Sequence, residues 1–330
     1  MTKRHNHLYE QIISIENLRD AYNKTARGKR NTVGYLRFKE NKEANLYHIQ
    51  QELINQDYKV GPFRNFTIYE PKERLISAVS FRDRLVQHAI CNIISSIFES
   101  TLLPYTFACR VGKGTHAGVK YVQSIARKYS EYKYFLKTDY SKFFPSINRE
   151  ILHTLIERKI KCKKTLWLLQ QIIPKTGNGL PIGSLTSQLF ANVYGGIIDS
   201  YIHYQLKVKH WVRYMDDIVI FGKTINELKE IKNKIEQYSS EKMNMKISKY
   251  SIHSLSKGIN FLGYRIWKTH KLIRKSSVIR AKRKIKKYLL NKDIEQLNLF
   301  LSAWLGHIEW ANCYNLTVHL GTYYETYYQY

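Results

Sequence analysis

The sequence predicts an α+β fold in which helices pack around a sheet that carries a small group of carboxylates. One apolar run ends at Asp139, and a second is broken by Asp216 and Asp217. The second run has Val212 before the break and residues 218–221 after it, and β-branched and aromatic residues on both sides of a short polar break indicate a β-hairpin. Asp139 and Asp216 are 77 residues apart, which leaves room for two helices between the strands. We therefore expect Asp139 to join the two hairpin carboxylates once the sheet forms.

The composition indicates a folded protein with a polyanionic partner. Of the 330 residues, 44% are apolar, which is typical of a globular chain. The formal net charge is +28, from 54 Lys and Arg against 26 Asp and Glu, and such an excess is unusual for an ordinary metabolic enzyme. The 26 Tyr supply flat rings on which bases can stack. We expect a nucleic acid as the partner.

The sequence contains no signal for a membrane or for export. It lacks a run of about eighteen apolar residues, the length that a membrane span needs, and its N-terminus lacks the apolar core of a signal peptide. The four cysteines are scattered without the spacing of a zinc site or a disulfide framework. These observations favour a cytoplasmic protein without a membrane partner.

The N-terminal part of the chain is expected to be helical up to residue 60 and then to form a hairpin. Residues 63–80 alternate in the manner of two strands, and the turn between them carries Lys72 and Arg74. Two cations on such a turn suit a triphosphate, but a turn with exposed charges is the favoured interpretation until other parts of a site are found. Residues 81–99 then have the pattern of a helix.

The remaining elements follow from the alternation of apolar and polar residues. Helices are predicted at 150–173 and 186–206 between the carboxylate strands, and an amphipathic helix is predicted at 225–240. Short strands are predicted at 246–249 and 259–266, and the end of the chain, from residue 295, is expected to be helical.

The stretch from residue 242 to residue 292 is strongly cationic. It holds sixteen Lys and Arg and no Asp or Glu, whereas a solvated protein face normally mixes the two signs. Its densest part is expected to begin a helix and includes Arg280, Lys282, Arg283 and Lys284. We interpret this stretch as a surface that binds nucleic acid.

The adjacent carboxylates Asp216 and Asp217 are the main candidates for chemistry. Side by side they repel each other, and burial raises the cost of their charge. A divalent cation relieves that cost, and Mg²⁺ prefers oxygen ligands together with substrate phosphates. In isolation, an Asp-Asp pair is more simply a hairpin turn. With Asp139 on a neighbouring strand and a cationic lobe beside it, the pair indicates a phosphoryl-transfer site with two cations.

Five segments resemble those of reverse transcriptases. Residues 214–217 (Tyr-Met-Asp-Asp) are similar to that family's catalytic hairpin, residues 138–144 to its first catalytic strand, and residues 261–264 (Phe-Leu-Gly-Tyr) to its primer-contacting turn. Residues 72–87 and 105–118 resemble the finger blocks of bacterial and group II intron-type enzymes. The resemblance implies a right-hand polymerase with fingers, a palm built on an antiparallel sheet and a helical thumb.

The resemblance also implies domain limits and residue roles. The limits are an N-terminal helical extension at 1–60, fingers at 61–133, a palm at 134–267 with part of the fingers interleaved near 150–185, and a thumb at 268–330. Two Mg²⁺ ions, with Mn²⁺ as an alternative, would be the cofactors. The roles are catalysis and metal binding for Asp139, Asp216 and Asp217; dNTP binding for Lys72, Arg74, Phe144, Ile182 and Gln188; primer contact for Phe261, Leu262, Gly263 and Tyr264; and general acid for Lys249 or Lys246.

One departure from the usual bacterial pattern narrows the resemblance. Residues 180–188 read Leu-Pro-Ile-Gly-Ser-Leu-Thr-Ser-Gln, so that Ile182 replaces the common Gln and Gln188 stands where Pro is common. This pattern resembles the reverse transcriptases of diversity-generating retroelements, of the kind found in a Bordetella phage. The resemblance implies error-prone copying of a template-repeat RNA into cDNA at template adenines, an RNA/cDNA hybrid, and a small basic accessory protein that forms a pentamer.

Two alternatives remain open from the sequence. The first is a group II intron-type or retron reverse transcriptase, against which Ile182 and Gln188 argue. The second is a non-catalytic RNA-binding protein that keeps a polymerase shell, against which the complete carboxylate set argues.

Overall fold

The computed structural model describes residues 3–69 and 73–318. Lys72, for which the sequence predicts a triphosphate contact, lies outside the described residues. The chain begins with four helices, as its apolar spacing predicts, and they are α1 (Tyr9–Ile13), α2 (Ile15–Ala26), α3 (Val33–Glu40) and α4 (Lys42–Ile54).

The predicted hairpin follows, and a long helix continues from it. Strands β1 (Arg64–Ile68) and β2 (Arg74–Ala78) pair antiparallel, and helix α5 (Phe81–Glu99) begins three residues later. Buried Asp83 in the first turn of α5 accepts hydrogen bonds from the Tyr58 hydroxyl at 2.9 Å, the Gly61 N–H at 3.2 Å and the Ser80 hydroxyl at 2.8 Å. This carboxylate therefore attaches the N-terminal helices to the hairpin.

A four-stranded antiparallel sheet forms the centre of the molecule. Helix α6 (Thr115–Lys128) leads into β3 (Tyr134–Tyr140), and the hairpin of β4 (Trp211–Tyr214) and β5 (Asp217–Gly222) pairs with one side of β3. Strand β6 (Ile247–Ser254) pairs with the other side, which gives the order β4-β5-β3-β6. The sheet therefore brings the strand that ends near Asp139 next to the strand that begins at Asp217.

More helices than predicted connect β3 to β4. They are α7 (Phe143–Ser146), α8 (Arg149–Glu157), α9 (Lys163–Ile172) and α10 (Leu185–Ser200), and a π-helical turn (Tyr201–Gln205) extends the last. The helix predicted at 150–173 is divided between Glu157 and Lys163, where His5 forms backbone hydrogen bonds of 2.7 Å with Lys159 and Lys161. Such a contact between distant parts of the chain cannot be recognised from local periodicity.

The C-terminal part contains a small sheet and two helices. Helix α11 (Ile225–Met243) precedes β6, and the small sheet holds β7 (Ile259–Phe261), β8 (Tyr264–Ile266) and β9 (Lys271–Ile273). The strand predicted at 259–266 is divided because Leu262 and Gly263 have positive φ angles of 48° and 90°. The cationic helix α12 (Lys275–Leu290) begins before residue 280, and α13 (Ile294–Ile308) follows it.

Two apolar cores cover the two faces of the central sheet. Leu136 and Ile218 face the core formed with the N-terminal helices and α8–α11, whereas Phe135 and Val219 face the core formed with α6, the small sheet, α12 and α13. The alternation along each strand therefore assigns one face to each core. Within residues 3–69 and 73–318, no helix combines the length and the apolar character that crossing a membrane requires.

Candidate active site

The hairpin between β4 and β5 brings three carboxyl groups together. Tyr214 pairs with Asp217, so that Met215 and Asp216 form the turn, and Met215 has the left-handed φ of 55°. Asp139 is the cross-strand partner of Asp217, and its side chain is hydrogen-bonded to that of Asp216. Burial, together with repulsion from Asp217 and Asp139, raises the pKa of the Asp216 carboxyl to about 6. The structure thus places the three predicted carboxylates in one site.

The chemistry of these groups fits a divalent cation that also binds the substrate. Three repelling carboxylates at the end of a sheet supply hard oxygen donors, which Mg²⁺ and Mn²⁺ prefer. Among the residues the structure describes, no set of three or more His, Cys, Asp and Glu side chains is spaced to hold a metal ion by itself. A cation here would therefore complete its coordination shell with water and phosphate oxygens, as Mg²⁺ commonly does.

Lys137 contacts one of these three carboxylates and was not among the predicted site residues. Its Nζ lies 3.1 Å from Asp217 Oδ1 and donates a hydrogen bond of 3.4 Å to the Asn260 carbonyl. The signal was present in the sequence, because Lys137 lies two residues before Asp139 and side chains two apart on a strand share a face. Lys137 thus connects the carboxylates to strand β7.

The two lysines predicted as candidates for the general acid lie at strand β6, which pairs with the edge of β3 opposite β5. Lys249 is exposed and is the cross-strand partner of Asp139, so that the two side chains project from the same face of the sheet. Lys246 is also exposed, and its carbonyl accepts a hydrogen bond of 2.9 Å from the Ser141 N–H. Of the two, Lys249 stands closer in register to the carboxylates.

Backbone hydrogen bonds connect the chain segments that carry the residues predicted to bind the nucleotide. The Phe144 carbonyl accepts a hydrogen bond of 2.9 Å from the Leu180 N–H, and the Ile182 carbonyl accepts one of 2.9 Å from the Ser77 N–H on β2. Phe144 and Ile182 are half-buried, whereas Arg74, at the start of β2, is exposed. These bonds link the segment of Phe144, the turn of Ile182 and strand β2, which begins at Arg74.

Gln188 is exposed on α10, the helix that follows the Ile182 turn.

Gln87 of α5 holds the Ile182 turn and was not among the predicted site residues. It is 1% exposed, and its Oε1 accepts hydrogen bonds from the Ser184 hydroxyl at 2.9 Å and the Leu185 N–H at 3.0 Å. Gly183 has a φ of 114°, and a Cβ there would lie 3.1 Å from Ile76 Cγ2, so the turn packs tightly on β2. The turn is therefore held by both α5 and the hairpin of β1 and β2.

The predicted primer-contacting residues form the turn between β7 and β8. Phe261 and Tyr264 are buried, and Leu262 and Gly263 occupy the turn itself. The Tyr264 hydroxyl donates a hydrogen bond of 2.9 Å to the carbonyl of His307 on α13. The turn is thereby attached to the C-terminal helices.

Helix α12 presents cations on the side opposite its core contact. Ala281 and Ile285 are buried, whereas Arg280 and Arg283 are exposed. Lys282 and Lys284 are half-buried, and the Lys284 Nζ lies 5.2 Å from the centre of the Phe300 ring. The arrangement leaves a positive outer surface of the kind that contacts phosphates.

Comparisons with known proteins agree on one family. The family model described as "Reverse transcriptase (RNA-dependent DNA polymerase)" matches residues 67–266. The chain is 25% identical to the group II intron-encoded protein LtrA of Lactococcus lactis subsp. cremoris, over 77% of this chain and 54% of LtrA. It is 23% identical to protein YkfC of Escherichia coli (strain K12), over 70% of this chain and 72% of YkfC. The chain spans about half the length of LtrA.

Solved structures give more distant similarities. A telomerase from Candida albicans, in complex with a fragment of telomeric RNA, aligns with a TM-score of 0.48 and 11% identity over 72% of this chain and 52% of that chain. An apo telomerase from Candida tropicalis aligns with a TM-score of 0.47 and 12% identity over 69% of this chain and 59% of that chain.

Proposed function

The chain belongs to the reverse transcriptase (RNA-dependent DNA polymerase) family and has its right-hand polymerase fold, and from this premise we propose that it extends a DNA primer along an RNA template. The observation that carries the proposal is the meeting of Asp139, Asp216 and Asp217 at one end of the central sheet. The positive surface of α12 supports it, because a polymerase must hold the backbones of both strands.

In the proposed reaction the 3′-oxygen of the primer attacks the α-phosphorus of a dNTP, and the bond to the β-phosphate breaks to release pyrophosphate. Divalent cations, when bound, activate the attacking hydroxyl and stabilise the leaving group. Asp139, Asp216 and Asp217 would hold these cations. Lys249 would donate a proton to the departing pyrophosphate, and the Phe144 ring would exclude a ribose 2′-hydroxyl from the nucleotide site.

Primer extension on an RNA template tests this function. Wild-type protein with Mg²⁺ should extend a labelled DNA primer, and Asp216→Asn should not. Asp20→Asn is the matched control, because Asp20 forms an exposed ion pair with Lys24 on α2 and should leave extension unchanged. Equal extension by the wild type and by Asp216→Asn would overturn the proposal, as would the absence of extension by the wild type on several primed RNA templates.

The narrower proposal is that the chain serves a diversity-generating retroelement in the cytoplasm. Its support is the sequence of residues 180–188, in which Ile182 replaces the common Gln. Isoleucine packs against a nucleotide but offers no hydrogen bond, and one such bond is worth on the order of 1 kcal/mol, or roughly fivefold in discrimination. The expected partners are a template-repeat RNA, its RNA/cDNA hybrid and a small basic pentameric accessory protein.

Sequencing of the cDNA tests this narrower function. Wild-type protein, with the accessory protein present, should misincorporate mainly opposite template adenines, and Ile182→Gln should lower that error rate. Ile225→Gln is a control, because Ile225 is exposed at the start of α11. An error spectrum without preference for adenine would contradict the retroelement assignment, and an unchanged error rate in Ile182→Gln would contradict the role of Ile182.

The second candidate function is that of a group II intron-type reverse transcriptase. The 25% identity to an intron-encoded protein of Lactococcus lactis favours it. Such an enzyme would copy RNA accurately at adenines, so the same sequencing experiment separates the two candidates.

A further inference from the structure

A buried ion pair is bonded to the turn between β4 and β5, which consists of Met215 and Asp216. Arg213, the residue before Tyr214 on β4, is 0% exposed, and its guanidinium donates two hydrogen bonds of 2.7 Å to the carboxylate of Asp199 on α10. A third donor, Nη1, is bonded at 3.1 Å to the carbonyl of Met215 in the turn. Asp199 also accepts a hydrogen bond of 2.9 Å from the Thr106 hydroxyl. One guanidinium thus connects α10 to the turn that carries Asp216.

The helix facing this guanidinium is shaped to admit it. A Cβ on Gly195 would lie 2.5 Å from both Cζ and Nη1 of Arg213, which is closer than packed atoms can approach. The next residue, Gly196, has open space where its Cβ would be. Only one of these two adjacent glycines is therefore required by the ion pair.

Stability alone is a weak reason for this arrangement. Removing two charges from water is costly, and buried ion pairs are often no more stabilising than well-packed apolar residues. The Met215 backbone has a conformation, with a φ of 55°, that a non-glycine residue adopts only when its surroundings hold it there. The hydrogen bond from Arg213 to the Met215 carbonyl supplies such a restraint.

We propose that Arg213 and Asp199 are a positioning pair that holds the Met215 backbone in its left-handed conformation and thereby aims Asp216 at the cation site. The pair touches neither substrate nor cation. Its purpose, the alignment of a metal-binding carboxylate, rests on the proposed polymerase function. Groups that orient a metal ligand typically change metal affinity by about 10- to 100-fold when they are altered.

The two glycines provide a matched test. We expect Gly195→Ala to weaken Mn²⁺ binding, followed by electron paramagnetic resonance, by about tenfold, because the new methyl group displaces the guanidinium. Gly196→Ala should bind Mn²⁺ as the wild type does, since alanine favours the helix and meets no atom. Equal Mn²⁺ affinity of the two variants would overturn the proposal.

Variants at Arg213 separate positioning from simple stability. Arg213→Lys keeps the charge but loses the forked contact, so Mn²⁺ affinity should fall while circular dichroism shows a folded chain. A lower melting temperature with unchanged Mn²⁺ affinity would show that the pair is merely structural and would overturn the proposal.

The binding measurement also distinguishes this inference from the proposed function. Asp216→Asn defines which Mn²⁺ signal belongs to the carboxylate site. If the wild type holds that Mn²⁺ and the glycine variants differ as expected, but no cDNA is made, the positioning role stands and the polymerase function fails. If Asp216→Asn removes no Mn²⁺ signal, the positioning role is overturned, because Arg213 then has no cation site to serve.

Discussion

Replacing Gln87 by alanine tests whether α5 stabilises the Ile182 turn, which is predicted to bind the nucleotide. The side chain is 1% exposed, and its Oε1 is the shared acceptor for the Ser184 hydroxyl and the Leu185 N–H at the start of α10. In Gln87→Ala the Ser184 hydroxyl keeps its contact with the Thr186 hydroxyl at 3.0 Å, but the Leu185 N–H loses its partner. The substitution therefore frees the Ile182 turn on one of its two sides.

The expected size of this effect follows from the two lost hydrogen bonds. Each is worth about 1 kcal/mol, and the unpaired Leu185 N–H adds about 1 kcal/mol or more, so the free energy of unfolding should fall by about 3 kcal/mol. For 330 residues the unfolding entropy is about 0.7 kcal/mol per kelvin, so the melting temperature should fall by about 4 °C. If about 1 kcal/mol of this loss also affects nucleotide binding, the KM for dNTP should rise roughly fivefold.

The assay is thermal unfolding together with steady-state primer extension at varied dNTP concentration. Gln50→Ala is the control, because Gln50 on α4 donates one hydrogen bond of 2.9 Å to the Ile13 carbonyl and lies in the N-terminal helices. It should lower the melting temperature by less and leave the KM for dNTP unchanged. A Gln87→Ala protein with a lowered melting temperature and a wild-type KM would refute the reasoning, since the contact of Ile182 with β2 would then suffice.

Three further outcomes are expected. Tyr264→Phe loses the hydrogen bond to the His307 carbonyl, so it should weaken primer binding and lower the free energy of unfolding by about 1 kcal/mol. Primer titration and denaturant unfolding measure the two effects, and an unchanged primer affinity would contradict this prediction. Burial lowers the pKa of His153, so the folded chain resists its protonation, and stability should fall as pH drops below the unfolded pKa of about 6.5. In His153→Gln the difference in melting temperature between pH 7.5 and pH 5.5 should shrink; an undiminished difference would exclude His153 as a cause. Arg283→Ala should make the plot of log affinity for RNA/DNA hybrid against log salt shallower by about one, and an unchanged slope would show that Arg283 contacts no phosphate.

The sequence by itself determined the elements that depend on local pattern. The hairpin around Asp216 and Asp217, the strand before Asp139 and the cationic helix α12 all follow from alternation and residue type within short segments. These signals are local, and each was strong enough to predict the kind of element, although α12 begins earlier than its densest cations suggest. The net charge of +28 likewise indicates a nucleic-acid partner.

The tertiary structure alone decided which side chains support the site. Gln87 meets Ser184 across 97 positions of chain, and Lys137 meets Asp217 across the central sheet. The Gln87 contact leaves no periodic trace, because a hydrogen bond between distant segments depends on how helices and strands pack. The strand period places Lys137 on the face of Asp139, but its contact with Asp217 depends on how β3 and β5 pair. The same holds for Arg213, which in the sequence is one cation among 54 and in the fold is buried against Asp199 and bonded to the turn that carries Asp216. Local pattern specifies elements, and only packing decides which polar groups lose water together and must therefore pair.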